Sequence, residues 1–360
     1  MRPTVRADLM SPNRPPLMLL AGDASYGSHF TSFVKAFLRL GCDCEVLDIS
    51  PWVPRPLSRT GLANRLRKGR NSLREEGMVN QRLVELSRAL RPDVFFAFKA
   101  TWLTPSALGD VKATIKVHLH PDDTSNPLEL SQPYLDGQPL WDLHVTNRGC
   151  NVPELLSRGA RDVLHVYFAY DRDWHRPVAG PGQKPYAVAF IGNRRADRAP
   201  LIASVAAEYG KRFLVCGTRW GRSRELARQA TVRPAQYGVW LSSAVASSSV
   251  CLGLLNSANR DLHNNRTFEM PAAGGAMLAE RTTEHMALLD EGTEALFFSS
   301  GDELFFHLAS ITQDADLCRR IATAGHRRIT GGGHTFEHRA AVILDRIGVH
   351  PPSTACLASG

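Results

Sequence analysis

The sequence lacks any apolar run of the roughly 18 residues that a membrane-spanning helix needs. Its first apolar run, residues 17–21, is too short for the core of a signal peptide and is closely followed by Asp23. The sequence also lacks the cysteine patterns of disulfide frameworks and zinc sites. Its seven cysteines are odd in number, form no Cys-x-x-Cys pair and mostly lie in apolar segments. We therefore expect free thiols and a cytoplasmic location, with a peripheral contact with the inner face of the membrane left open.

Ligand sets for a metal ion are incomplete as well. His118 and His120 share a predicted strand, and His334 and His338 lie one helical turn apart, but neither pair has a third ligand with clear spacing. The Asp-x-Asp string at residues 171–173 falls in a predicted loop, where short acidic strings are common by chance. We expect no bound metal.

The net charge of +8, from 43 basic and 35 acidic residues, favours anionic partners such as nucleotide diphosphates, nucleic acid or an anionic membrane. Residues 51–77 are rich in arginine, which indicates either a solvated basic loop or helix face, or an element that faces an acceptor or a membrane. No nucleic-acid-binding module is recognisable, and aromatic residues do not cluster with this basic run. Nucleic acid is therefore not an expected partner.

The length and the order of predicted elements indicate two α/β domains. A chain of 360 residues with 43% hydrophobic residues is long enough to form two cores. Short apolar strands alternate with helical segments, which predicts parallel sheets with ligands at the carboxyl ends of the strands. Three prolines and two glycines interrupt the alternation at residues 170–185, and a new strand is predicted at residues 186–191.

One segment of the second half carries the most specific combination of chemical groups. Asp261 and Glu269 are separated by seven residues, and Arg266 lies three residues before the glutamate. Carboxylates accept hydrogen bonds from ribose hydroxyls, a guanidinium forks onto phosphate oxygens, and Gly274 with Gly275 lets backbone N–H groups approach a ligand. This pattern predicts a nucleotide-diphosphate site; a buried Arg–Glu pair at a helix start is the alternative.

A second candidate segment follows the strand predicted at residues 186–191. Gly192 and Asn193 form a tight loop before a helix, where a phosphate can approach the backbone and the positive helix end. Arg198 supplies a cation in the same loop, and an ordinary strand-to-helix turn is the alternative. Asn265 is a further candidate for ligand contact, with loop capping as its alternative role.

The first half places polar residues after three predicted strands, at the carboxyl ends where ligands bind. Gly27, Ser28 and His29 begin a helix after the first strand, and Lys99 directly follows a buried strand. After a further strand come three residues that could activate a hydroxyl group, with turn formation as the alternative: His120, Asp122 and Asp123.

The pattern of the second half resembles the nucleotide-sugar site of glycosyltransferases with two Rossmann-like domains, the GT-B fold. Arg266-Thr267-Phe268-Glu269, small residues, Gly274-Gly275 and an apolar strand are similar to the CgeB-like group, which is named after a spore maturation protein and is related to the retaining glycosyltransferase family 4, or group 1. That larger family has glutamate at both ends of the seven-residue spacing, and here the first acid is Asp261. Its phosphate loop has a glycine and an arginine, with a lysine five residues after the arginine, and the two cationic positions match Asn193 and Arg198.

The resemblance implies an α/β protein of the GT-B fold, with two Rossmann-like domains whose parallel sheets face a central cleft. It implies a hexosyltransferase-type glycosyltransferase that moves a sugar from a UDP-, GDP- or TDP-sugar to an acceptor hydroxyl. The acceptor would be a glycan, a lipid-linked molecule, a protein or a small molecule. Retention of configuration is expected, with neither a bound metal nor a tightly bound cofactor. A GT-B-type sugar-nucleotide epimerase and a non-catalytic sugar-nucleotide-binding protein are the alternatives.

The same resemblance assigns expected roles to the candidate residues. The expected catalytic residues are Arg198, Arg266, His29 and Asp122. The expected donor contacts are Gly192, Asn193, Arg198, Asp261, Asn265, Arg266, Glu269, Gly274 and Gly275. The acceptor-side candidates are Gly27, Ser28, His29, Lys99, His120 and Asp123.

The expected domain organisation starts with a flexible arm at residues 1–15 and an acceptor domain at residues 16–172. A linker at residues 173–185 leads to a nucleotide-sugar-binding domain at residues 186–335. We expect the helix at residues 336–349 to pack back on the N-terminal domain, followed by a disordered tail at residues 350–360.

Overall fold

The computed structural model describes residues 14–52, 62–127, 129–180 and 184–351, and the side chains of residues 62–75 are outside this description. Most of the predicted arm and tail, residues 1–13 and 352–360, therefore lies outside the described residues. The chain divides into two compact units. The first unit comprises Met1–Tyr167 with Phe336–Gly360, and the second comprises Phe168–Thr335.

The first unit contains a six-stranded sheet in which every adjacent pair is parallel, in the order β2-β1-β3-β4-β5-β6. Its strands are β1 (Leu17–Gly22), β2 (Asp43–Asp48), β3 (Val94–Phe98), β4 (Ile115–His120), β5 (Leu143–Thr146) and β6 (Val163–His165). Its helices are α1 (His29–Arg39), α2 (Leu62–Leu90), α3 (Pro105–Asp110), α4 (Gln132–Gly137), α5 (Asn151–Ser157) and, after the second unit, α13 (Phe336–Arg346).

The central strands of this sheet are apolar along almost their whole length. β1 reads LMLLAG and β3 reads VFFAF, and nearly all of these side chains are buried. A parallel sheet is covered by helices on both faces, so its strands need apolar residues on both sides rather than in alternation. The order of strands reverses between β1 and β3, which makes their carboxyl ends the expected place for a ligand in this unit.

The helix α2 begins at Leu62 and so includes part of the arginine-rich run at residues 51–77, for which a loop and a helix face were both open. Most of the basic run therefore lies on a helix rather than in a loop. The reason lies in composition, since this stretch contains no proline and is rich in arginine, leucine and glutamate, which favour helices.

The second unit has a second six-stranded parallel sheet, in the order β12-β11-β10-β7-β8-β9. Its strands are β7 (Tyr186–Ile191), β8 (Phe213–Cys216), β9 (Thr231–Arg233), β10 (Ser248–Gly253), β11 (Ala276–Glu280) and β12 (Leu296–Phe298). Its helices are α6 (Ala199–Tyr209), α7 (Arg224–Gln229), α8 (Val239–Ala246), α9 (Arg266–Ala272), α10 (Thr283–Leu288), α11 (Gly301–Gln313) and α12 (Ala315–Gly331). This is the strand order of the Rossmann fold, and the order reverses between β7 and β10.

The helix α13 belongs to the first unit although it follows the second in the chain. Its Phe336 ring lies 5.1 Å from the Phe33 ring of α1, and its Glu337 pairs with Arg39 at 2.7 Å. Aromatic packing and an ion pair between buried Glu337 and exposed Arg39 together hold α13 against α1.

The segment predicted as a linker, residues 173–185, belongs to the second unit. Ser242 Oγ donates to the Trp174 carbonyl at 2.7 Å. A Cβ atom placed on Gly274 would lie 3.3 Å from the Pro177 ring. These contacts bind the proline-rich segment to its own unit, because proline breaks regular structure without preventing packing. Within the described residues, no helix is long and apolar enough to cross a membrane.

Candidate functional site

Two arginines lie at the carboxyl edge of the second sheet, where the strand order reverses. Arg266 Nε donates to the carbonyl of Ile191, the last residue of β7, at 2.9 Å. Arg198 Nε donates to the carbonyl of Leu255, just beyond the end of β10, at 3.0 Å. In an open parallel sheet this crevice is where ligands bind, so both cations are held at the expected ligand position.

Glu269 is buried beside Arg266 on the first turns of α9, with 3% of its surface exposed. Its carboxylate accepts a hydrogen bond from Arg266 Nη1, and both carboxylate oxygens lie 3.1 Å from Asn265 Nδ2. His175 Nε2 lies 3.8 Å from the same carboxylate. Burial lowers the pKa of Arg266 to about 10, so the guanidinium remains charged at neutral pH.

The buried Arg–Glu pair that the spacing of Arg266 and Glu269 left as an alternative is therefore present. It does not use all the donors of the arginine. Arg266 has five N–H donors, of which Nε binds Ile191 and one Nη1 hydrogen binds Glu269. The pair thus orients a guanidinium that keeps further donors for a ligand.

Three carboxylates and one further cation act on the charge of Arg198. Burial and the positive charge of Arg195 lower the pKa of Arg198, and the negative charges of Asp197, Asp261 and Glu280 oppose that shift. The carboxylate of Glu280 accepts a hydrogen bond from the Leu255 N–H, while burial raises the pKa of Glu280. A cation ringed by acids can bind phosphate on one side while the acids accept hydrogen bonds from hydroxyl groups.

Glu280 is a site residue that the sequence analysis misses. It is the last residue of β11, the strand next to β10, so its carboxylate is presented at the carboxyl edge of the sheet. The signal was available, since an acid directly after a predicted apolar strand is placed where ligands bind.

The loop after β7 is held by its own contacts. The Gly192 carbonyl accepts a hydrogen bond from Trp220 Nε1 at 2.7 Å. Asn193 Oδ1 accepts from Thr218 N at 3.1 Å and lies 2.9 Å from its hydroxyl. The asparagine therefore stabilises the loop that precedes Arg198. Gly192 packs against the Phe190 ring, which would lie 2.7 Å from a Cβ atom placed on the glycine.

The glycines after α9 are explained by packing inside the unit. Gly274 has φ +81°, a left-handed backbone that favours glycine at a helix end. A Cβ on Gly275 would lie 2.6 Å from Val245 Cγ1 and 3.2 Å from the Met270 carbonyl. The close backbone approach predicted for Gly275 is thus made by the protein's own atoms. Asp261 likewise has a local partner, since its Oδ2 accepts from Asn256 N at 3.0 Å.

In the first unit, Ser28 and His29 lie after β1 at the start of α1. Ser28 Oγ accepts from Thr31 N at 3.2 Å and so caps the helix. Gly27 precedes it with φ +79°. The His29 ring lies 6.5 Å from the Phe98 ring at the end of β3. The structure thus places these residues at the carboxyl edge where the first sheet changes strand order.

Lys99 forms a charged cluster at the same edge. Its Nζ lies 2.5 Å from Asp122 Oδ2 and 2.6 Å from Glu129 Oε2. Burial acts in the opposite direction, but the Lys99 charge lowers the pKa of Asp122 to about 2. A carboxylate with so low a pKa is a weak base, which argues against Asp122 as the group that deprotonates a hydroxyl.

His120 and Asp123 are both buried, with 1% and 2% of their surfaces exposed. Asp122 N donates to His120 Nδ1 at 3.2 Å, and Ser125 N donates to Asp123 Oδ1 at 2.8 Å. Both side chains are thus held by neighbouring backbone groups of the first unit, and their contact with an acceptor stays a prediction.

Among the described residues, one group of three side chains has atoms close enough to share a metal ion: Glu291, Glu303 and His307. Arg281 Nη2 already lies 2.5 Å from a carboxylate oxygen of each glutamate. These side chains are only partly buried, so this arrangement is a surface ion-pair network.

Two Rossmann-like units, each with a six-stranded parallel sheet, are the architecture of the GT-B fold. Residues 194–345, which cover most of the second unit, match the family described as glycosyl transferase-like. The match spans less than half of the chain. No curated protein matches the chain in sequence.

Solved structures confirm the fold. HepE from Anabaena, solved with UDP-glucose, superposes with a TM-score of 0.61 at 12% identity, covering 92% of this chain and 99% of that one. Sucrose-phosphate synthase from Thermosynechococcus elongatus has a TM-score of 0.63 at 11% identity, covering 92% and 98%. A glycosyltransferase from Rickettsia africae has a TM-score of 0.58 at 10% identity, covering 93% and 98%.

Proposed function

We propose that this protein is a glycosyltransferase that moves a sugar from a nucleotide-diphosphate sugar to an acceptor hydroxyl. The observation that carries the proposal is the position of Arg198 and Arg266 at the switch point of the second sheet, inside the region that matches the glycosyl transferase-like family. The likeness to HepE, solved with UDP-glucose, supports a UDP-sugar as the first donor to test. We further propose a hexosyltransferase of the CgeB-like group, which acts in the cytoplasm with retention and without a metal.

The chemistry follows from the charges at the site. The bond between the anomeric carbon and the diphosphate oxygen breaks, and a bond from the acceptor oxygen to the same carbon forms. Negative charge builds up on the departing diphosphate, which the guanidinium groups of Arg198 and Arg266 stabilise. The acceptor attacks on the side that the diphosphate leaves, and the proton of its hydroxyl passes to the diphosphate or to solvent. No protein nucleophile is needed.

Glu269 has the role of binding the ribose. Its carboxylate is oriented by Asn265 and Arg266, and ribose hydroxyl groups would donate to it. In the first unit, Gly27, Ser28 and His29 are the proposed acceptor contacts, because they lie at the carboxyl edge of that sheet. The domain roles and the identity of the acceptor belong to this proposal.

The test is donor binding by the wild type and by Glu269→Gln. Glutamine keeps the shape of the side chain, whereas alanine would leave buried Arg266 without its partner at a cost of about 3–5 kcal/mol. Thermal shift and calorimetry would be run with UDP, GDP, ADP, TDP and CMP derivatives. We expect one nucleoside diphosphate to bind the wild type and to bind Glu269→Gln roughly tenfold more weakly, because hydrogen bonds to a charged group are stronger than those to an amide.

The matched control is Glu337→Gln. Glu337 is also buried and also pairs with an arginine, Arg39, but it lies on α13 of the first unit. This variant should bind the donor as the wild type does. Failure of every nucleoside diphosphate to bind the wild type would refute the proposal. Labelled donor should then give transfer that depends on an added acceptor; conversion of the sugar without any acceptor would identify an epimerase instead.

A further inference from the structure

An open groove of about 730 Å³ lies in the first unit, away from the residues assigned to the acceptor. It is lined by the end of α2, the end of α3 and the start of β4. Because β4 has six residues and rises about 3.3 Å per residue, this groove and His120 lie at opposite ends of the strand. The volume is within the range of roughly 300–1,000 Å³ that small-molecule sites occupy.

Four cationic residues line the groove, and no acidic residue does: the cations are Arg88, Arg91, Lys112 and Lys116. Arg88 has an exposed partner, with its Nη2 3.7 Å from Asp110. In the described part of the chain, the side chains of Arg91 and Lys112 have neither an ion pair nor a hydrogen bond. Arg91 and Lys112 are therefore not there to complete an internal ion-pair network.

Helix ends account for only part of this charge. The carboxyl ends of α2 and α3 both lie at the groove, and each carries roughly half a negative charge, which cations stabilise. With Asp110 included, the negative charge at the groove sums to roughly two units. Even so, a surplus of about two positive charges remains. One phosphate group carries about two negative charges, so it would balance this surplus.

The charge of Lys116 carries a cost that a bound anion would offset. Lys116 Nζ donates to the Leu108 carbonyl at 2.6 Å. Burial lowers the pKa of Lys116, and the charges of Lys112 and Arg161 act in the same direction, whereas those of Asp142 and Asp110 oppose it. A bound anion would favour the charged form of Lys116.

We propose that this groove binds a phosphate-bearing ligand, in a site separate from the nucleotide-sugar site of the second unit. The Arg88 and Arg91 guanidinium groups would pair with phosphate oxygens, and Lys112 and Lys116 would act as point charges. A soluble phosphorylated molecule and the headgroup of an anionic phospholipid share this chemistry. The inference does not depend on the proposed transferase activity.

The experiment compares the full-length wild type with a variant that carries Arg88→Gln, Arg91→Gln and Lys112→Gln. Lys116 is left intact because it is half-buried and bonded to Leu108. Binding of inorganic phosphate and pyrophosphate is measured by calorimetry. Binding to phosphatidylcholine vesicles with and without phosphatidylglycerol is measured by sedimentation. We expect the wild type to bind pyrophosphate or the anionic vesicles, more weakly at higher salt, and the groove variant to bind about tenfold more weakly.

The matched control neutralises three exposed arginines of the second unit, Arg224, Arg320 and Arg327, and has the same net charge as the groove variant. It should bind as the wild type does. Binding to pyrophosphate alone would identify a soluble ligand, and binding to anionic vesicles alone a lipid headgroup. Equal binding by the wild type and the groove variant would overturn the proposal, as would no binding to any probe. Loss of pyrophosphate binding in Glu269→Gln but not in the groove variant would also overturn it, because the ligand would then occupy the nucleotide-sugar site.

Discussion

Acid should destabilise the first unit through three buried histidines, His118, His120 and His144. Their rings are at most 1% exposed. His118 Nε2 accepts from Ala100 N at 3.2 Å, and His144 Nε2 lies 2.9 Å from the Gln138 carbonyl. Burial lowers the pKa of His120 and of His144 to about 4 and lowers that of His118 well below its usual value. All three rings are therefore neutral in the folded protein at neutral pH.

The direction of the effect follows from the folded pKa values lying below the unfolded value of about 6.5. Above that pH neither state binds protons at these rings. As the pH falls from about 6.5 towards about 4, the unfolded chain takes up protons that the folded protein refuses, so stability falls. At about pH 5, His120 and His144 each cost roughly 2 kcal/mol, or roughly 4 kcal/mol together, and His118 acts in the same direction. That loss is a large part of the whole stability of a typical domain, about 5–15 kcal/mol.

The assay is urea unfolding followed by circular dichroism at steps from about pH 8 to about pH 5. With His120 and His144 taking up protons on unfolding, the free energy of unfolding should fall by roughly 2 kcal/mol per pH unit near pH 5, and His118 makes the fall steeper. His144→Gln should reduce that slope by roughly 1 kcal/mol per pH unit, since it removes one titrating ring. His350→Gln, at an exposed position, serves as the control and should leave the slope unchanged. Stability that stays constant over this range would refute the reasoning.

Two further substitutions test the second unit. Gly275→Ala should lower the free energy of unfolding by about 1–3 kcal/mol, because its Cβ would overlap Val245. The control, Gly292→Ala, has open space around its Cβ and should cost only its backbone strain. Both variants are measured by thermal melting. Trp220→Phe removes the hydrogen bond to the Gly192 carbonyl and should weaken nucleotide binding by a few-fold, as measured by calorimetry. The control is Trp240→Phe, at an exposed position. Equal melting temperatures for the two glycine variants, or equal nucleotide binding by the two tryptophan variants, would contradict these assignments.

The fold could be predicted from local patterns. The runs LMLLAG and VFFAF, each followed by a polar loop and a helical pattern, indicate buried parallel strands without any knowledge of their neighbours. The break at residues 170–185 and the new strand after it indicate a second sheet. The Arg266–Glu269 spacing marks the helix start that the structure places at the switch point, because three residues along a helix bring two side chains to the same face.

The composition of the site was less predictable. Glu280 joins Asp197 and Asp261 around Arg198, although these residues are far apart in the sequence. Their meeting depends on β11 lying next to β10 and on β10 lying next to β7. Burial of His120 is also a tertiary effect, since a histidine at the end of a strand is exposed or covered according to what packs above it.

The sequence by itself determined the two parallel α/β units, the basic character of the chain and the position of the Arg–Glu pair on α9, because these depend on period, composition and short spacing. Only the tertiary structure decided which carboxylates surround Arg198, that Gly275 is filled by Val245, and that Arg88, Arg91 and Lys112 share one groove. Each of these depends on the order of strands and the packing of distant segments, and side-chain periodicity carries no information about either.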